Sequence, residues 1–188
     1  MIIGILKETT KNEFRVSANV ETVKKLIKLN HQIIIEKDSG LNSSIRDEEY
    51  INAGAKIKNS SKEIFDESNL ILKVNPLSEE ELNTIKDNTI CISFFQIKDQ
   101  INNIDLYLNK NLTLLSMSHI PRTTLAQKMD ALSSQSNIAG YKAVIIGSNH
   151  IQTYMPLLMT AAGTIQPAKV LILGAGVAGL SAIATAKR

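Results

Sequence analysis

Short aliphatic and β-branched runs recur along the chain, and between them apolar positions return at the three- and four-residue spacing of one helix face. That alternation predicts a parallel α/β sheet wrapped by helices. Runs at 2–6, 32–36, 69–74, 89–94 and 112–116 predict five strands. Between the first two, Ser17 and Asn19 offer capping groups, and Val20, Val23, Leu26 and Ile27 repeat on one face, predicting an amphipathic helix over about 18–29. A short helix over 47–53 is closed by Gly54. A capping box of Ser78 and Glu81 starts another that runs to about Lys86, and a helical segment covers about 100–109. From Thr123 the pattern turns into a long helical stretch reaching about His150. The expected organisation is a doubly wound, flavodoxin-like α/β domain over 1–125, a helical connection over 126–165 with a stiff junction and a cleft beside it, and the start of a second domain over 166–188.

That second domain announces itself in the last 20 residues. An apolar run at 169–173 predicts a strand, followed by Gly174-Ala175-Gly176-Val177-Ala178-Gly179 and an Ala-rich helical stretch. In a strand, glycine turn and helix of this kind, the first glycine makes the tight turn. The second lets backbone approach a pyrophosphate, and the third allows close helix packing. The phosphates then rest on the amides and positive dipole end of the helix starting near Val177. The motif is specific because of this context rather than its glycines alone. Gly174, Ala175, Gly176, Val177 and Gly179 are therefore candidate cofactor-binding residues of an incomplete Rossmann domain. The acidic partner of the adenosine ribose is expected roughly 20 residues further on, beyond Arg188. The tail from about Gly163 is expected to need a following polypeptide to cover it.

Composition narrows the chemistry. The net charge of +3 over 188 residues comes from scattered lysines, not a basic stripe, which argues against a nucleic-acid partner. The single cysteine, Cys91, lies inside an apolar run and reads as a buried, inert thiol. It also excludes an internal disulfide, in keeping with a reducing compartment. The N-terminus lacks the basic region and apolar core of a signal peptide. Residues 170–186 are uncharged but shorter than the ~20 residues of a membrane-spanning helix. The three histidines, His31, His119 and His150, are far apart, and no metal spacing or activated nucleophile stands out. No residue is assigned as a catalytic acid or base.

The segment Pro121-Arg122-Thr123-Thr124-Leu125-Ala126-Gln127-Lys128-Met129-Asp130-Ala131-Leu132-Ser133-Ser134-Gln135-Ser136-Asn137-Ile138-Ala139-Gly140-Tyr141 is dense in polar groups. On a continuous helix Gln127, Asp130 and Ser133 or Ser134 would share a face, and spacing alone favours a solvated surface or a set of caps. The residues themselves closely resemble the NAD(H)-binding component of the alpha subunit of proton-translocating NAD(P) transhydrogenases, within the alanine dehydrogenase/transhydrogenase family. The resemblance extends to Lys7-Glu8, Arg15-Val16-Ser17, Leu72-Lys73-Val74-Asn75-Pro76 and the glycine motif, and so covers nearly the whole chain. It implies that Arg122, Gln127, Asp130 and Ser133 surround the nicotinamide end of NAD(H). Asp130 and Ser133 would grip the carboxamide, Arg122 would reach the nicotinamide and phosphates, and Gln127 would bridge the ribose towards the second nucleotide.

The family further implies NADP(H) on a partner domain, membrane and NADP(H)-binding partner subunits, a homodimer, and a peripheral place on the cytoplasmic face of the bacterial inner membrane. Alanine dehydrogenase, the competing activity, resembles the chain at Arg15 and Lys73, positions implied to hold a substrate carboxylate or carbonyl. It also implies a histidine near 94–98, where this chain has Phe95-Gln96-Ile97, and it lacks the run from Asp130 to Gln135. Both departures count against amino-acid oxidation. Lys7, Arg15 and Lys73 are read mainly as remnants shared with those relatives. A non-catalytic remnant or assembly module is the remaining alternative.

Overall fold

Six parallel strands form the centre of the first half of the chain: β1 (Ile2–Ile5), β2 (Gln32–Glu36), β3 (Lys56–Lys58), β4 (Leu70–Leu72), β5 (Ile90–Ser93) and β6 (Thr113–Ser116), in the order β3-β2-β1-β4-β5-β6. The computed structural model describes residues 1–187. Contacts group the chain into two compact units, Met1–Ile120 and Pro121–Arg188.

In the first unit, helices α1 (Val20–Lys28), α2 (Asp47–Asn52), α3 (Ser61–Glu67), α4 (Glu79–Thr84) and α5 (Ile104–Asn109) cover the sheet on both faces. The strands are continuous apolar runs because each is buried front and back. Ile33 and Ile35 join Ile3, Ile5, Val23 and Tyr50 on one side, while Ile34 joins Leu6, Ile64, Phe65, Leu82 and Ile85 on the other. Burying each such side chain contributes about 1.5–3 kcal/mol. Gly4 lets α3 press directly on the central strand, since a Cβ there would lie 2.3 Å from Ser68 Oγ and 2.5 Å from Ile64 Cγ2. The α/β, doubly wound architecture agrees with the sequence pattern.

Two of these elements escape that pattern. β3 is only Lys-Ile-Lys, an edge strand with one apolar residue to signal it. α3 buries just two adjacent residues, Ile64 and Phe65, too few to show a period. The five strands legible in the sequence would run in flavodoxin-like order; β3 extends the edge to the 3-2-1-4-5-6 order. The capping signals fare better. Asn19 accepts from Thr22 N at 2.9 Å, Ser78 and Glu81 form the reciprocal box, and Gly54 ends α2 with φ +99°.

The second unit holds α6 (Ala131–His150), an antiparallel hairpin of β7 (Leu158–Thr160) and β8 (Gly163–Ile165), and α7 (Val177–Ala186). Two sequence expectations need correction here. The helix expected from Thr123 is divided: 124–129 is a 3-10 turn, and the α-helix starts only after Asp130, whose φ −78° and ψ 74° are not helical. Asp130 spends its carboxylate on the helix end instead of continuing the spiral, as Asp does at N-caps. Residues 169–173, expected as a strand, form no ladder among the described residues. An apolar run becomes a strand only beside another backbone, and none pairs with it here. The hairpin was not signalled, because its strands are three residues long and exposed throughout.

Candidate functional site

The glycine turn has the geometry its spacing requires. Gly174 adopts φ +104°, a conformation that side chains strongly disfavour. Gly176 is the N-cap of α7; a Cβ built on it meets no atom within 4 Å, so its face is open to an incoming group. Gly179 is the tight position: a Cβ there would fall 1.9 Å from the Gly174 carbonyl oxygen. The close packing is thus against the turn itself, not against a strand. No side chain caps α7 among the described residues, which leaves its first-turn amides for an anion.

Beside this turn lies the start of α6. Asp130 caps it, accepting from Ser133 N at 2.9 Å and from Ser133 Oγ at 2.6 Å. The Ser133 hydroxyl, then its amide, then the Arg122 charge hold the Asp130 carboxyl below its ordinary pKa. A cavity of about 310 Å³ joins the two features, lined by Arg122, Ser133 and Ser136 from one side and by Leu173, Gly174 and Gly176–Gly179 from the other. That volume lies at the lower end for ligand clefts.

Of the residues singled out by sequence, Arg122, Ser133, Gly174, Gly176, Val177 and Gly179 line this cavity, and Asp130 is attached through Ser133. Ala175 is within the turn but not in the lining, and Gln127 sits on the preceding 3-10 turn outside it. The shared helical face of Gln127, Asp130 and Ser133 is therefore replaced by a cap and a break. Ser136, Leu173 and Ala178 were missed as lining residues. Ser136 was findable, standing one helical turn beyond Ser133. Leu173 and Ala178 contribute by adjacency to the glycines, which no residue type signals.

The other polar constellation lies within the first unit at the carboxyl ends of β1 and β4, where the strand order reverses and doubly wound folds keep a ligand crevice. Here that place is filled by the protein's own charges. Glu8 accepts from Val74 N at 2.5 Å and Asn75 Nδ2 at 3.1 Å. Buried Lys73 pairs with Glu81 at 2.5 Å, and the same Glu81 oxygen accepts from Ser78 N at 2.7 Å. Arg15 makes bonds of 2.7 and 2.8 Å to Glu13, whose pKa falls to about 2, chiefly through that contact. Cys91 is buried in β5; burial, and secondarily Glu81, push its thiol up to about 12.

A family model described as the alanine dehydrogenase/PNT N-terminal domain matches residues 4–139, and one described as the C-terminal domain of the same family matches 143–188. The chain belongs to the alanine dehydrogenase/PNT family. It is 45% identical, over its whole length, to the first of the separate pieces that make up the NAD(P) transhydrogenase subunit alpha of Rickettsia prowazekii, and covers 50% of that relative. It is 40% identical to the NAD(P) transhydrogenase subunit alpha of Haemophilus influenzae over 99% of this chain and 36% of that relative. Its fold superimposes on the crystal structure of a transhydrogenase from Sinorhizobium meliloti with a TM-score of 0.95 at 41% identity, covering all of this chain and 56% of that one. The chain thus spans about half or less of the curated relatives named here. Both domain models of the alanine dehydrogenase/PNT family are engaged, the second through the glycine turn and α7. No helix among the described residues is long and apolar enough to cross a membrane.

Proposed function

We infer that this chain is the NAD(H)-binding part of a transhydrogenase that passes hydride between NAD(H) and NADP(H), coupled through membrane partner subunits to proton translocation. The observation that carries the reading is the cavity in which Arg122 and Ser133 face the turn from Gly174 to Gly179. The open face of Gly176 and the uncapped start of α7 fit a pyrophosphate. Residues 166–188 are the start of the dinucleotide domain and 1–125 the preceding domain, with 126–165 linking them. When bound, the nicotinamide supplies the hydride chemistry.

The chain's own residues bind and orient. Gly174, Ala175, Gly176, Val177 and Gly179 hold the pyrophosphate by backbone. Asp130 accepts the carboxamide N–H while Ser133 fixes the carboxylate's direction. Arg122 balances charge at the phosphate side, and Gln127 reaches out from the 3-10 turn towards the second nucleotide. No proton needs to move, because both hydride donor and acceptor are nicotinamides, and catalysis then rests on approach and alignment. NADP(H) sits on a partner domain, the working assembly is a homodimer, and the chain lies at the cytoplasmic face of the bacterial inner membrane through its partners.

An NADH fluorescence titration of the full-length protein, with NADPH as control, tests this. Saturable, NADH-selective binding that Ser133→Ala and Arg122→Ala weaken is the expected result; equal binding of NADPH, or none of either, would sink it. Alanine-dependent NAD reduction is expected to be undetectable, since Lys73 is committed to Glu81 and residues 95–97 carry no histidine.

A further inference from the structure

Within the second unit, α6 and α7 meet through small residues. Ser133, Ser136 and Gly140 fall on one face of α6 at three- and four-residue spacing, and Ala178, Ser181 and Ala182 do the same on α7. At the crossing, a Cβ on Gly140 would lie 2.1 Å from the Ala178 carbonyl oxygen, 2.8 Å from its carbonyl carbon and 3.0 Å from its Cα. All three are backbone atoms, which cannot swing aside as a side-chain tip can. Ser181 Oγ donates to the Asn137 carbonyl at 2.8 Å and fixes the crossing along the axis. Ala178 is itself in the first turn of α7 and lines the candidate cavity, so whatever sets its position also sets the glycine turn relative to Ser133 and Arg122.

We propose that Gly140 is a positioning residue for dinucleotide binding: by admitting the Ala178 backbone it fixes the spacing between the pyrophosphate turn and the nicotinamide-facing start of α6. This rests on the NAD(H) reading above. A side chain at 140 moves α7 and its turn away from α6 as one body. Ligands that bridge both features then lose complementarity, while a ligand held by the turn alone does not.

The helix supplies its own control. Gly147 is also in α6, but a Cβ there meets nothing within 4 Å. Gly→Ala in a helix favours the helix by up to about 1 kcal/mol, so both Gly140→Ala and Gly147→Ala raise α6 propensity and differ only at the crossing. In the full-length protein, Gly140→Ala is expected to weaken NADH binding by about tenfold or more, as misplacements approaching 1 Å do, while ADP, which reaches only the turn, binds as in wild type. Gly147→Ala is expected to leave both affinities unchanged. Ser181→Ala, which removes a hydrogen bond without adding bulk, is expected to weaken NADH less and to spare ADP; it decides the matter if Gly140→Ala does not fold.

Three outcomes overturn the proposal: Gly140→Ala binding NADH like Gly147→Ala; equal loss of NADH and ADP; or, where only Ser181→Ala can be read, its affinities matching wild type. A wild-type protein that binds no NADH overturns the functional reading and this inference together. Wild-type binding with an indifferent Gly140→Ala overturns this inference alone.

Discussion

Lys73 and Glu81 show how single residues hold the first unit together. Both are buried, and Glu81 also closes the capping box of α4 through Ser78 N. Removing one partner strands the other charge, so Lys73→Met should destabilise by about 3–5 kcal/mol, whereas Lys73→Met with Glu81→Leu should recover most of that. Urea denaturation of the set checks it, and equal losses in single and double variants would refute it. Cys91 gives a chemical readout of the same core: iodoacetamide should alkylate it only on unfolding. Glu13 sets an acid-side dependence. Its folded pKa of about 2 lies below its ordinary 4.5, so its contribution is whole above about pH 4.5 and is lost as pH falls towards 2. Arg15→Ala should raise the Glu13 pKa, measured by NMR titration, and shrink that loss.

Elements were legible in proportion to the buried apolar surface they carry. β1, β2, β4, β5 and β6 read directly because the sheet is covered on both faces, leaving runs such as Gln32–Glu36 with three consecutive buried isoleucines. β3 and the β7–β8 hairpin, with little or nothing buried, left no pattern to read. In the candidate site the glycines were legible because their demands are local. The position of Asp130 was not, since whether an Asp continues a helix or caps it depends on what its carboxylate finds nearby. Gly4 belongs to the same lesson: its role comes from α3, an element with no visible period. Gly4→Ala should destabilise by about 1–3 kcal/mol through overpacking against Ser68 and Ile64, read as a lowered denaturation midpoint with an unchanged slope.

At the scale of the whole molecule, the two units divide the labour. The first has a sheet with helices on both faces and two buried clusters of its own. Every residue lining the candidate cavity lies beyond Ile120. A fragment of residues 1–120 should therefore unfold cooperatively by circular dichroism yet bind no NADH in a fluorescence titration. NADH binding by that fragment would move the site to the crevice between β1 and β4 and contradict the assignment. The family match follows the same division, with one domain model over most of the first unit and another ending on α7.

The placement of β1 at the middle of its sheet also governs how the protein comes to be folded. Ile3 must find Ile33 on one side and Leu70 on the other. Both are parallel pairings across long loops, which raises contact order and slows the search relative to local hairpins. During synthesis, the β2 side of the sheet becomes available first. The opposite edge of β1, with its row of amides and carbonyls, waits until Leu70–Leu72 has left the ribosome. The half-built sheet is then the species most exposed to aggregation or chaperone capture, before the sequence that makes the nucleotide turn has been translated.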